Sequence, residues 1–108
     1  MDDADFEVTL DRLRASISEV ITLLTEFGEA VWAEWFQKDL RRLGQGDIHG
    51  LDHVLSAFGG MGSFSDVYVH PRNGHAIELE RVEEINDRLS DLRGAVYRNA
   101  SDLRRSLR

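Results

Sequence analysis

Two long stretches of the chain carry apolar residues at alternating steps of three and four, and this spacing limits the fold more than any other feature. The first runs Phe6, Leu10, Leu13, Ile17, Val20 with Ile21, Leu24 and Phe27. Such a stripe lies along one side of an α-helix and has to be covered. Gly28 follows at once and suits the left-handed backbone position that ends helices. The spacing predicts helix 1 over about 4–27. The second stripe, Val82, Ile85, Leu89, Leu92, Val96, Ala100 and Leu103, predicts helix 4 over about 80–105 despite Gly94. Glu80, Glu83 and Glu84 sit at its start and arginines crowd its end, as the helix macrodipole favours.

Two shorter helices fit between them. Val31 with Trp32, Trp35 with Phe36, then Leu40 and Leu43 predict helix 2 over about 29–43, closed by Gly44-Gln45-Gly46. Asp47 suits the N-cap of helix 3, about 47–58, with Ile48, Leu51, Val54, Leu55 and Phe58 on its apolar side. Gly50 weakens that helix by about 1 kcal/mol relative to alanine, so tertiary contacts must hold it. The pattern then changes. Asp66-Val67-Tyr68-Val69 reads as a short strand, Pro71-Arg72-Asn73-Gly74 as a turn, and His75-Ala76-Ile77 as a returning strand. The expectation is a mainly α domain spanning residues 1–108. It would be a four-helix antiparallel bundle with a small β-hairpin, about 66–77, inserted between helices 3 and 4. The hairpin would lean on the helices through Val67, Val69 and Ile77, because a lone hairpin is marginal in water.

Charge is unevenly spread. The 108 residues hold 20 acids and 13 bases, a formal net charge of −7. Residues 1–36 hold nine of the acids and two bases, so the whole excess lies in the first third. The last residues lean basic, with Arg98, Arg104, Arg105 and Arg108. Laid antiparallel, helices 1 and 4 would bring the acidic start near the basic end and neutralise it internally. An acidic chain makes a poor nucleic-acid binder, since phosphates need the opposite sign. The absence of cysteine excludes a disulfide scaffold, a thiolate zinc site and cysteine catalysis. No apolar run approaches about 20 residues, so no membrane-spanning helix is expected. The acidic N-terminus is unlike a signal peptide, and the expected location is the cytoplasm.

The run Phe58-Gly59-Gly60-Met61-Gly62-Ser63-Phe64-Ser65-Asp66, followed by His70-Pro71-Arg72-Asn73-Gly74-His75, resembles a family of short bacterial proteins known only as a domain of unknown function. In that family Phe-Asn-Asp or Leu-Asn-Asp usually follows the glycines; here Ser65 takes the Asn position. The Trp32–Trp35 region and the Gly46-Asp47 step are similar too, so the resemblance spans about 18–97. It implies no activity, cofactor or catalytic residue.

The candidate binding residues are Gly59, Gly60, Met61, Gly62, Ser63, Asp66, His70, Asn73 and His75. Glycines leave backbone N–H groups open, and such a nest can hold an anion. The loop is neither a Walker loop nor a dinucleotide fingerprint, and the favoured reading is structural: Gly59 ends helix 3 and the others allow a tight reversal beneath a packed hairpin. His49 and His53 are four apart on helix 3, the spacing of a helical zinc pair that Asp52 or Asp66 could complete. His70 and His75 would meet across the hairpin. Ordinary polar surface or hydrogen-bonded residues explain all four, and no metal or other cofactor is expected. Ser63 lacks the elbow that presents a nucleophile, and Asp66 with His75 is a weak acid–base candidate. Trp32, Trp35 and Phe36 suit a core, or an interface anchor if one indole is exposed. The helix 1 seam could serve this chain or a second copy of it.

The functional expectation is a small acidic non-catalytic protein-interaction module, of the kind immunity proteins and antitoxins represent, with another protein as partner. The alternative is a small-ligand or metal-binding domain built on the Gly59–Asp66 loop and the hairpin histidines.

Overall fold

The computed structural model describes residues 1–107; Arg108, which the sequence groups with the basic end, lies outside the described residues. Four α-helices make up most of the chain: α1 Asp3–Glu26, α2 Ala30–Gly44, α3 His49–Ser56 and α4 Val82–Ser106. Asp2 caps α1, its Oδ1 accepting the Asp5 N–H at 2.8 Å. Gly28 adopts φ +82°, and the Glu29 N–H returns to the Leu24 carbonyl at 2.8 Å. This left-handed close lets α2 fold back along α1.

The apolar stripes form the seam. Leu13, Ile17, Val20, Leu24 and Phe27 of the first stripe are buried, as are Val82, Ile85, Leu89, Leu92, Val96, Ala100 and Leu103 of the last. Phe6 and Leu10 are only partly covered. α1 and α4 run in opposite directions, because Glu19 pairs with Arg88 at 3.1 Å while Glu26 lies 3.9 Å from Arg81. α1 also packs on α2, and α3 touches α2 and α4, so the four helices close a ring around one core. Gly50 lies where α3 meets α2. A Cβ there would stand 3.2 Å from both Arg42 Cβ and Leu43 Cδ2, so the close helix approach accounts for a residue of poor helix propensity.

α3 has only eight residues, against 25 in α4. Irregular chain supplies the missing length. Asp52 pairs with Arg104, Phe58 meets Tyr97, Phe64 lies beneath Arg93, and Val69 bonds Asn86. The path from α3 to Val69 thus descends α4 in one direction. Phe64 is fully buried, with ring centroids 4.7 Å from Phe36, 5.7 Å from Phe58 and 5.9 Å from Trp32.

The β-hairpin predicted over 66–77 does not form, and no residue among those described is in a strand. Three short 3-10 turns replace it, at Phe64–Asp66, Pro71–Asn73 and Leu79–Arg81. The turn itself forms: Gly74 takes φ +83° and the His75 N–H bonds the His70 carbonyl at 3.3 Å. The arms fail to pair because helices take their backbone groups. Asn86 accepts from the Val69 N–H at 2.8 Å and donates to the Val69 carbonyl at 2.9 Å. Arg93 Nη2 donates to the Val67 carbonyl at 2.8 Å, and the Ala76 N–H reaches the Phe27 carbonyl at 3.1 Å. Each backbone group held by a helix is unavailable to a ladder.

The charge pairing expected between the ends of α1 and α4 is also corrected. Arg104 bonds Asp52 of α3, and Arg105 pairs with Asp102 on its own helix. Among the described residues Asp2, Asp3, Asp5, Glu7 and Asp11 enter no salt bridge and stay exposed. The orientation that brings Arg104 to Asp52 of α3 is set by packing, which charge counting along the chain does not register.

Replacing Asn86 tests the clamp. Asn86→Ala leaves both backbone groups of buried Val69 without a partner and should destabilise the fold by about 2–4 kcal/mol in urea unfolding. Asn86→Asp keeps the acceptor and should fall between. A loss below about 0.5 kcal/mol for the alanine variant would show that water replaces the clamp freely.

Candidate functional site

The residues marked by the sequence lie on the irregular segment and are tied mostly to one another and to the start of α2. Gly60 and Gly62 take φ +100° and +79°, and Met61 between them is 98% exposed. The Gly62 N–H, the donor an anion nest would offer, points at Asp66 Oδ2 at 2.6 Å. The loop therefore carries its own carboxylate. Ser63 Oγ accepts the Ser65 N–H at 3.2 Å and caps the 3-10 turn.

The second group is a turn bolted to the start of α2. His75 is buried; its Nδ1 accepts the His70 N–H at 3.1 Å, so its proton sits on Nε2 and is donated to Glu29 Oε1 at 3.2 Å. His70 Nδ1 accepts from the Arg72 N–H at 3.0 Å, and Asn73 Nδ2 donates to the Tyr68 carbonyl at 2.8 Å. Asp66 and His75 are thus held by different partners and form no acid–base pair. Among the described residues no group of three or more His, Asp or Glu gathers as metal ligands would. His49 is exposed, while His53 turns inward.

His53 leads to a pair that was not singled out from the sequence. Its Nδ1 bonds Asp39 Oδ1, and Asp39 is fully buried. Asp39 occupies the buried stripe of α2 with Ala33, Phe36 and Leu43, so an acid at a core-facing helical position was the available signal. Its other oxygen, Oδ2, has no hydrogen-bond partner among the described residues. Trp35 stacks on the imidazole, centroids 4.1 Å apart and planes 18° from parallel, and its Nε1 donates to the His53 carbonyl at 3.3 Å. Burial pushes the Asp39 carboxyl from 3.8 up to about 6, against the opposing pull of His53, Arg42 and Lys38. Arg93, the other partly enclosed charge, is shifted down by burial, opposed by Asp66; its Nε has no partner among the described residues and its face lies over Phe64.

A separate groove of about 180 Å³ opens where the start of α1 meets α3. Phe6, Leu10, Leu43, Ile48 and Leu51 form its apolar walls, with Glu7 and Asp47 on the rim. Ile48 is half-exposed there. Asp47 Oδ1 accepts the His49 N–H at 3.0 Å and so is fixed in place. Among the described residues no basic side chain lines this groove.

A family model described as a domain of unknown function, DUF6966, matches residues 25–78, half of the chain, and the chain belongs to that family. The match includes α2, α3 and the irregular segment as far as Glu78. No curated protein and no solved structure matches the chain.

The Asp39 carboxyl makes a signed prediction. The folded chain holds this proton more tightly than the unfolded chain, so its contribution to stability is present below about pH 4 and is lost as pH rises through about 6. The melting temperature of the native chain minus that of Asp39→Asn should therefore fall between pH 4 and pH 6 and level off above. A difference that stays flat over this range would mean that burial does not raise the carboxyl.

Proposed function

We propose that this member of the DUF6966 family is a non-catalytic protein-interaction module. Its contact surface is the apolar groove at the acid-rich end of α1. The carrying observation is a coincidence of chemistry: an open apolar slot with carboxylates on its rim and no cation lining it among the described residues. The N-terminal carboxylates divide by role. Asp2 caps α1, and Asp3 and Asp5 sit in its first turn, where the macrodipole stabilises them. Glu7 and Asp11 lie further along the helix, and Asp47 comes from another part of the chain; none of the three is in a salt bridge among the described residues. Their charge is available to a partner.

The partner fitting this surface is a protein that inserts an apolar side chain between Phe6, Leu10 and Ile48 and sets Lys or Arg against Glu7 and Asp47. Toxin-neutralising immunity proteins and antitoxins would be instances of such a role. A small-ligand or metal role for the glycine loop has less support, because Gly62, Asp66 and His75 already bond within the chain. Within the family match, the glycine run and the His70–His75 turn are the features we offer as its sequence signature.

The test is affinity capture from the native extract with native chain, Ile48→Arg and Glu7→Lys side by side, folding being followed by circular dichroism. Both positions are exposed, so both variants should keep the helical fold. The native chain should retain a basic protein whose binding weakens with salt, and each variant should weaken it about tenfold or more. Retention of nothing, or the same retention by all three chains, would overturn the proposal.

A further inference from the structure

The Asp39–His53 pair places a fully buried carboxylate in the core, away from the interaction surface. A carboxylate removed from water is destabilising unless well partnered, and apolar side chains of similar size often do better. Asp39 has a single hydrogen-bond partner, His53, and one oxygen without any among the described residues. Such an arrangement in a cleft points to a functional site more often than to stability.

The geometry says what kind. Asp39 engages Nδ1 of His53, so the ring's other nitrogen, Nε2, is left for an outside group; the side chain is 22% exposed. Trp35 stacks on the ring and bonds the His53 main chain, which holds the imidazole plane in place. His53 forms one wall of a cleft of about 550 Å³ that Trp35, Lys38 and Arg41 also line. Lys38 and Arg41 are exposed and enter no salt bridge among the described residues. Among the described residues Glu34 is the only carboxylate lining the cleft, against these two cations and the His53 imidazole. In an otherwise acidic protein, this places donors and positive charge together.

We propose that this cleft binds a phosphate group, with the Arg41 fork, the Lys38 ammonium and the Nε2–H of His53 as its three donors, and Asp39 as the residue that positions His53. Arg suits bidentate contact with phosphate oxygens, and each charge-assisted bond is stronger than a neutral one. The cleft is larger than one phosphate and has exposed Val31 on its lining, which leaves room for an organic group carrying the phosphate.

The test is a titration of the full-length ¹⁵N-labelled chain at pH 6 with inorganic phosphate and, separately, with phosphoserine. Saturable shifts should centre on the Trp35 indole N–H, Lys38, Arg41 and His53, with a dissociation constant of about 10 mM or tighter for at least one probe. Tighter binding of phosphoserine would identify a phosphomonoester as the ligand; equal binding would identify phosphate itself. Lys38→Ala/Arg41→Ala should weaken binding at least about tenfold, and since both side chains are exposed its spectrum should otherwise remain native. Ile48→Arg should leave the titration unchanged, which separates this site from the acidic groove. Shifts that never saturate, that centre on the arginines of α4, or that persist at the same affinity in the double variant would overturn the proposal.

Discussion

An irregular stretch of chain packed against helices must find a partner for every buried backbone N–H and C=O, and this requirement organises the molecule. Between α3 and α4 it is met by side chains of α4. Asn86 bonds both backbone groups of Val69 as a neighbouring strand would, and Arg93 holds the Val67 carbonyl while covering Phe64. Phe64 supplies the apolar counterpart, joining aromatic rings from α2 and the end of α3. With those contacts made, a short helix and a non-helical segment together serve as the fourth side of the ring.

The shortness of α3 also shapes its two surfaces. Its start, with Ile48 and Asp47, meets the partly covered beginning of α1 and leaves the acidic groove. One turn later His53 reaches Asp39 on α2 and carries the imidazole to the cationic cleft. Eight residues thus contribute to an acid-rimmed apolar slot and to a cleft lined by Lys38 and Arg41. The two surfaces differ in the sign of the charge that lines them.

The two long helices were legible because repetition makes their signal redundant: a stripe of seven core positions survives any single ambiguous residue. The left-handed closes at Gly28 and Gly74 were legible as well, since few residues besides glycine accept that backbone. The hairpin was misread for a specific reason. Val67, Tyr68 and Val69 have strand-forming side chains and Asn73-Gly74 forms a true turn, yet strand pairing needs free backbone edges, and Asn86 and Arg93 occupy them. Those residues lie 17 and 26 positions further along the chain. The histidines were half placed: His70 and His75 do meet, the His70 N–H bonding His75 Nδ1, but spacing also paired His49 with His53, while folding joins His53 to Asp39 and carries His75 on to Glu29.

By itself, then, the order of residues determined which stretches are helical, which faces they bury and where the chain reverses, because these depend on periodicity and on local backbone preference. Only the tertiary structure decided that the middle segment forgoes a sheet, that Arg104 turns toward α3, and that a buried aspartate meets a histidine from another helix. Each of these is a competition among partners distant in sequence, settled by which of them packing brings within hydrogen-bond reach.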